Sequence, residues 1–157
     1  MKKEKERQKG VLVVNRKARR NYAIADEIEA GVMLTGAEVK SLRAGRGKLE
    51  EAFVRVSGGE VWMVNFQIPA FQANLENYDP ARQRKLLLHA REIESLARKT
   101  EQKGMALVPL KVYVKNRHVK LLVGVGKGKR EFEKREDIKK RELKRELRRE
   151  FKERQIR

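Results

Sequence analysis

Three carboxylates lie close together in the run Asp26-Glu27-Ile28-Glu29, and such a cluster is one way to hold the metal ions of a nuclease. More often, a run of this kind is the solvated face of a helix, whose first turns favour acids. The adjacent pair Glu50-Glu51 has the same two interpretations. Neither group is accompanied by a nucleophile and a base at a useful spacing. We therefore predict that the chain is not an enzyme.

Metal and nucleotide chemistry have few candidate residues. His89 and His118 are the only histidines, and the chain has no cysteine. The glycine-rich run 124–129 resembles a phosphate loop, but a Walker motif ending there would need glycine at Val123 and serine or threonine at Arg130. We expect no metal and no cofactor.

The charge of the chain is strongly positive. Lys and Arg number 40 against 22 Asp and Glu, which gives a net charge of +18 and a pI near 10.4. A charge this large repels itself in a compact protein, so it indicates a polyanionic partner. Nucleic acid is the leading candidate. An anionic membrane would require an apolar stripe or a lipid anchor beside the charge, and neither is evident. The lack of cysteine fits a reducing compartment, and we expect a cytoplasmic protein with no membrane partner.

Two basic clusters are the best candidates for binding phosphate. The first is the run Asn15-Arg16-Lys17-Ala18-Arg19-Arg20, between a predicted strand and a predicted helix, and the second is Arg82-Gln83-Arg84-Lys85. A loop on a rigid scaffold can bring several guanidinium groups to phosphates at once. The alternative is that both runs are merely solvated.

The elements that position these clusters are mostly short strands. We predict strands at 11–15, 32–34 and 86–88, and helices at 22–30 and 89–103, with a single helical turn at 39–43. Two β-rich stretches surround Ser57-Gly58-Gly59, and two more surround Asn116-Arg117-His118, which predicts two hairpins. This pattern favours a mainly β fold, a small OB-like antiparallel β-barrel with two to three helices, over a sandwich.

The composition divides the chain into three parts. Residues 1–10 are predicted to be a mobile basic arm, residues 11–126 an OB-like RNA-binding body, and residues 127–157 a basic C-terminal tail. The tail carries 15 bases and eight acids, and only Leu143, Leu147 and Phe151 share one helical face. Because that stripe is too narrow to dock firmly, we expect a tail that is disordered when free but capable of forming a helix.

Taken in order, these stretches resemble the SmpB family (small protein B), the protein partner of tmRNA. The matching residues, spread over nearly the whole chain, are Asn15-Arg-Lys-Ala-Arg19 with Tyr22, Glu29-Ala-Gly31, Gly36 with Glu38-Val-Lys-Ser-Leu-Arg43, Asp79-Pro80 with Arg82, Arg84-Lys-Leu-Leu-Leu88, Gly104 with Val108, Leu110 and Tyr113, Lys127-Gly-Lys129, and Lys134-Arg135. No single motif is decisive, but the whole set in this order is highly specific.

The resemblance implies a function and a set of partners. Proteins of this family bind the tRNA-like domain of tmRNA and travel with alanyl-tmRNA and elongation factor Tu to ribosomes stalled on messages without a stop codon. Their tail enters the empty mRNA channel and the decoding centre, where it folds as a helix, so that trans-translation can begin. We also expect a monomer. The alternative from another class is a ribosomal protein bound permanently to rRNA.

The resemblance assigns roles by position. Asn15, Glu29 and Leu87 match residues tied to tmRNA binding. Core packing is an equal alternative for Leu87, and for Glu29 the alternative is a helix-end carboxylate, which could equally orient a neighbouring arginine. The further RNA-binding candidates are Arg16, Lys17, Arg19, Arg20, Glu38, Lys40, Arg84, Lys85, Lys127, Lys129 and Arg130. The candidates for ribosome contact in the tail are Phe132, Glu133, Lys134, Arg135, Ile138 and Lys139. Phe132-Glu133 replaces the His or Tyr and the Asp that the family usually has.

Overall fold

A computed structural model describes residues 10–72 and 77–156, so the predicted N-terminal arm lies outside the described residues except for Gly10. The strands are β1 (Val11–Val14), β2 (Tyr22–Val32), β3 (Phe53–Ser57), β4 (Glu60–Val64), β5 (Arg84–Leu87), β6 (Met105–Lys115) and β7 (His118–Gly128). The helices are α1 (Ala18–Asn21), α2 (Gly36–Arg43), α3 (Ala90–Glu101) and α4 (Glu131–Ile156).

The strands form one antiparallel sheet that closes on itself. Neighbouring strands follow the order β1-β6-β3-β4-β5-β2-β7, and β7 pairs again with β6, so that six strands form a ring while β1 lies on the edge of β6. Closure removes the exposed strand edges that an open sheet of this size would present. The predicted antiparallel barrel is confirmed.

Side chains alternate between the inside and the outside of this ring. Val61 and Met63 of β4, and Leu121 and Val123 of β7, have no exposed surface and pack in the main core. A second, smaller cluster of Ala18, Val108 and Leu110 lies beneath α1. Beneath α1 both sides of β6 are therefore covered, whereas alternation leaves residues such as Tyr113 of β6 and Lys120 of β7 on the outer surface, where a ligand has access.

Both predicted hairpins are confirmed. Gly58 and Gly59 connect β3 to β4 with φ values of 59° and 73°, the left-handed conformation that a two-residue hairpin turn requires at both positions. Asn116 and Arg117 connect β6 to β7 in the same way, with φ values of 50° and 66°. His118, predicted to lie in the turn, begins β7 instead.

The predicted helix at 22–30 is wrong, because this segment is strand β2, which pairs with β7 from Tyr22 to Gly31. Ile24 and Ile28 are four residues apart, a spacing that fits one face of a helix. A bulge between Ile24 and Asp26 instead shifts the register, so that Ile28 packs against the main core while Ile24 packs against the cluster beneath α1. The helix of this region is the short α1.

The other helices agree with the prediction in position. The helix predicted at 89–103 is α3, and Leu96 is its buried residue. The single turn predicted at 39–43 is the two-turn helix α2, which begins at a capping box formed by Thr35 and Glu38. Of the short strand predicted at 32–34 only Val32 belongs to β2, and Met33 and Leu34 follow its end. The strand predicted at 86–88 is β5, which begins two residues earlier and ends at Leu87.

The C-terminal tail forms the long helix α4, of 26 residues, none of which is buried. Leu143, Leu147 and Phe151 are each more than half exposed. No helix within residues 10–72 and 77–156 is long and apolar enough to cross a membrane. The expected disorder of the tail in the free protein stays a prediction.

Candidate nucleic-acid interface

The outer sides of β5, β2, β7 and β6 form one continuous surface, which we call the basic face. Strand pairing brings Leu87 of β5 opposite Gly31 of β2, Gly31 opposite Lys120 of β7, and Lys120 opposite Tyr113 of β6. Arg16 and Arg19 extend it, because they line a cavity of about 560 Å³ with Lys111 and Leu122. The basic face comprises Arg16, Arg19, Glu29, Lys85, Leu87, Lys111, Tyr113, Lys115, Lys120 and Leu122.

Glu29 lies in the middle of the basic face and is held by its neighbours. The hydroxyl of Tyr113 donates to its carboxylate, and Lys115 Nζ lies 3.3 Å from Oε1. The hydrogen bond from Tyr113 outweighs partial burial and lowers the pKa of the Glu29 carboxyl. Partial burial and the same carboxylate raise the pKa of Tyr113, so its hydroxyl stays protonated as a donor. Glu29 is on a strand, so its interpretation as a helix-end carboxylate is wrong, while an orienting role toward Tyr113 and Lys115 fits the geometry.

Leu87 projects from the basic face and is 52% exposed, so its interpretation as a core residue is wrong. Its partner across the strand pair is Gly31. A Cβ at Gly31 would lie 3.1 Å from Leu87 Cβ, closer than an ordinary contact. Glycine at this position therefore gives Leu87 room, and the leucine presents an apolar contact among basic side chains.

Asn15 is buried and joins three segments. Its backbone N–H donates to Leu110 O at 2.8 Å, and its Nδ2 donates to Pro109 O at 2.9 Å and to Leu49 O at 3.4 Å. These bonds lie on the edge of β6 between the part that pairs with β1 and the part that pairs with β3. Asn15 therefore takes the place of a strand partner there and positions the adjacent basic loop.

The four bases after Asn15 do not all point to the basic face. Arg16 and Arg19 do, and Arg19 forms an ion pair with Glu27. Lys17 lies toward a separate groove between β3 and β6, where its Nζ is 3.4 Å from Glu50 Oε2. Arg20 is exposed on α1. The predicted cluster is therefore divided between two sides of the barrel.

Arg84 and Glu38 are buried, which corrects the expectation that they contact RNA. Arg84 has no exposed surface, and its guanidinium lies 2.5 Å from Glu38 Oε2 and donates to Phe66 O at 2.6 Å. Arg82 forms a second ion pair with Glu38. Burial raises the pKa of the Glu38 carboxyl, but the bonds from Arg82, the Thr35 backbone and Arg84 more than offset it, and the net pKa is lowered. The network joins α2 to β5.

The remaining predicted bases are not among the residues that form the basic face. Lys40 is exposed on α2, and Lys127 and Arg130 are exposed near the end of β7. Lys129 connects the barrel to the tail, because its N–H donates to Asn21 O at 2.8 Å, its Nζ donates to Arg19 O at 3.1 Å, and the same group pairs with Asp137 of α4. We infer that Lys129 positions α4.

The six tail candidates lie in the first three turns of α4. Phe132 is 56% exposed and Ile138 is 41% exposed. Arg135 and Lys139 are exposed as well, whereas Glu133 and Lys134 are partly covered. All six are therefore accessible at least in part.

Several basic-face residues are not predicted as site residues from the sequence, namely Lys111, Tyr113, Lys115, Lys120 and Leu122, although Tyr113 is among the residues that carry the family resemblance. Their signal was the alternation within the second hairpin, where bases and an aromatic residue occupy the positions between buried ones. The sequence alone does not say which of the alternating residues face outward. The burial of Val112 and Leu121 shows that the residues between them and their neighbours do.

The three carboxylates of the acidic run at 26–29 are each paired with a different base. Asp26 pairs with Lys99, Glu27 with Arg19, and Glu29 with Lys115. Within the described ranges, no group of three or more potential ligands is arranged to hold a metal ion.

Comparison with known proteins identifies close relatives. The family model described as SmpB protein matches residues 12–153. The SsrA-binding protein of Leuconostoc mesenteroides is 50% identical over 153 residues, covering 97% of this chain and 99% of the relative. That of Lysinibacillus sphaericus is 49% identical, covering 90% and 92%. A chain in a solved structure described as "tmRNA-SmpB: a journey to the center of the bacterial ribosome" is 45% identical to this one, with a TM-score of 0.65. The match covers 76% of this chain and 85% of that one.

Proposed function

The chain belongs to the SmpB family, and from that premise we propose that it binds the tRNA-like domain of tmRNA and delivers it to stalled ribosomes for trans-translation. The observation that carries this proposal is the basic face, where cations surround one exposed leucine and one ordered Glu29–Tyr113 pair on a rigid barrel. Phosphate contacts supply affinity, and the apolar and aromatic groups supply contacts that a purely ionic surface lacks.

Each part of the molecule has a distinct task in this proposal. The body holds the RNA through Arg16, Arg19, Lys111 and Lys120, with Leu87 and Tyr113 packing against it. Asn15 and the Arg84–Glu38 pair act indirectly, by positioning the loops and strands that carry these residues. The tail reads the empty mRNA channel and the decoding centre, and elongation factor Tu is a partner through the complex. The protein catalyses no reaction and works in the cytoplasm, where the ribosomes are.

A pull-down from bacterial extract, followed by sequencing of the bound RNA, tests this proposal. We expect one abundant RNA with a tRNA-like end. The rival ribosomal protein would instead recover rRNA and would stay with ribosomes through high-salt washing, whereas a visiting protein held mainly by phosphate contacts is lost as salt rises. Recovery of rRNA alone, retained in high salt, would reject the proposal.

A further inference from the structure

Trp62 lies on the outer surface of the barrel. Its neighbours along β4, Val61 and Met63, have no exposed surface, so alternation directs Trp62 outward, where it is partly exposed. It is the only tryptophan of the chain. An indole on the outside of a barrel serves either as a cover for the strands beneath it or as a contact for a ligand.

Cations flank this indole on both sides. In the strand pairing, Trp62 lies opposite Arg55 of β3 and opposite Lys85 of β5. Directly opposed residues on one face have Cβ atoms about 5 Å apart. Arg55 reaches across β4 toward β5, since its Nη2 donates to Gln83 Oε1 at 3.0 Å. Lys85 Nζ is 3.0 Å from Glu60 Oε1, and both side chains are more than one third exposed.

A second aromatic ring lies diagonally from the indole. Phe53 pairs with Val64, two residues from the Arg55–Trp62 pair on the same outer row, and it is 48% exposed. Such diagonal neighbours are within reach of aromatic side chains. Two aromatic rings at diagonal positions, with the cations of Arg55 and Lys85 nearby, are typical of a surface on which successive nucleobases of a single strand stack.

We propose that Phe53, Arg55, Trp62 and Lys85 form a stacking surface for unpaired nucleotides of the bound RNA. This inference rests on the proposed function, and it extends the contact beyond the basic face. The two surfaces are continuous, because Lys85 belongs to both and Leu87 lies two residues further along β5. Bases stack on Trp62 and Phe53, while Arg55 and Lys85 contact the flanking phosphates. The positive side chains favour a polyanion such as RNA over a basic or purely apolar partner, and the exposed rings favour one that carries nucleobases.

Because Trp62 is the only tryptophan, its emission reports directly on this surface. The full chain is titrated with a transcript of the tRNA-like domain of tmRNA, and complex formation is followed in parallel by gel mobility shift. We expect the emission to fall as the complex forms and the bound RNA to protect Trp62 from quenching by acrylamide. Trp62→Leu should weaken binding by about ten-fold, the loss typical of one stacked base. Trp62→Phe, which keeps a ring, should bind nearly as tightly as the wild type.

The control variant is Phe71→Leu, which removes a ring that is 40% exposed and lies in the loop after β4. It should bind like the wild type, and circular dichroism should show all variants folded. A complex that forms with unchanged, unprotected Trp62 emission overturns the stacking surface but leaves the proposed function intact. Wild-type affinity in Trp62→Leu does the same. Failure to form any complex would instead reject the proposed function itself.

Discussion

Leu86 and Leu87 are neighbours in sequence, yet the barrel gives them opposite environments. Leu86 is 1% exposed and belongs to the main core, whereas Leu87 is 52% exposed on the basic face. We expect Leu86→Ala to lower the free energy of unfolding by about 2–5 kcal/mol. Leu87→Ala should leave stability within about 0.5 kcal/mol while weakening RNA binding about five-fold, because an apolar contact of roughly 1 kcal/mol is lost.

Urea unfolding measures the stability of both variants, and filter binding measures their affinity for the RNA. Each variant is the control for the other. A loss of stability in Leu87→Ala comparable to that in Leu86→Ala would contradict the outward placement of Leu87.

Glu38 compensates the buried charge of Arg84, and its own pKa is lowered. Glu38→Gln keeps the shape but leaves the guanidinium unpaired, which should cost about 3–5 kcal/mol. Because the pKa of the carboxyl is lower in the folded state, its contribution to stability is present above the unfolded pKa. That contribution is lost as the pH falls through the folded pKa. Thermal unfolding between neutral and acidic pH should therefore show a weaker pH dependence in the variant.

The matched control is Glu60→Gln, which breaks the exposed pair with Lys85 and should cost less than about 1 kcal/mol. Equal losses in the two variants would show that burial of the Glu38 pair has no energetic consequence.

At the scale of the element, the hairpins were predictable and strand β2 was not. Gly58, Gly59 and Asn116 carry a local signal, because glycine and asparagine adopt a positive φ more readily than other residues. The spacing of Ile24 and Ile28, in contrast, fits a helix and a bulged strand equally well. Its outcome depends on pairing with β7, about a hundred residues later in the chain. Local patterns cannot decide an element that a distant partner determines.

The same limit applies to the candidate site. Basic clusters can be found in the sequence, but burial cannot, so the sequence predicts an RNA contact for Arg84, whereas the structure places it inside the barrel with Glu38. Leu87 was undecided between core and surface for the same reason. Lys111 and Lys120 became visible as site residues only when the strands brought them beside Arg16 and Leu87.

Asn15 connects the basic loop to two other segments, and its loss should have consequences of two kinds. Asn15→Ala leaves Pro109 O and Leu49 O without their donor, which should cost about 1–3 kcal/mol of stability. The loosened loop should also bind RNA more weakly, because Arg16 and Arg19 are no longer held in place. Arg16→Ala is the control, since it should weaken binding without changing the unfolding midpoint. A stable Asn15→Ala protein with weakened RNA binding would indicate a direct contact instead.

At the scale of the whole molecule, the charge divides between a rigid body and an exposed helix. Residues 11–126 hold 20 bases and 12 acids, and residues 127–157 hold 15 bases and eight acids. Opposite charges of α4 such as Glu136 and Lys140 are four residues apart, but each such pair contributes only about 0.2–0.5 kcal/mol. The two parts meet at Lys129 and Asp137, and the apolar stripe of α4 makes no buried contact. A helix attached in this way is suited to binding a second partner.

Deletion of residues 131–157 separates the two tasks. Because the basic face lies wholly on the barrel, the shortened chain should keep its affinity for the tRNA-like RNA. It should also keep its salt dependence, in which each neutralised phosphate contributes about 0.9 to the slope of log K against log salt. Tagging of proteins from messages without a stop codon should be lost, since nothing then enters the empty channel. A chain whose tail has the same composition in shuffled order tests whether charge alone suffices. We expect it to bind RNA and fail in tagging, because shuffling displaces the proposed ribosome contacts at 132–139 from the start of α4. A shortened chain with a smaller salt slope and weaker binding would place part of the RNA contact in the tail, and the division of labour would be wrong.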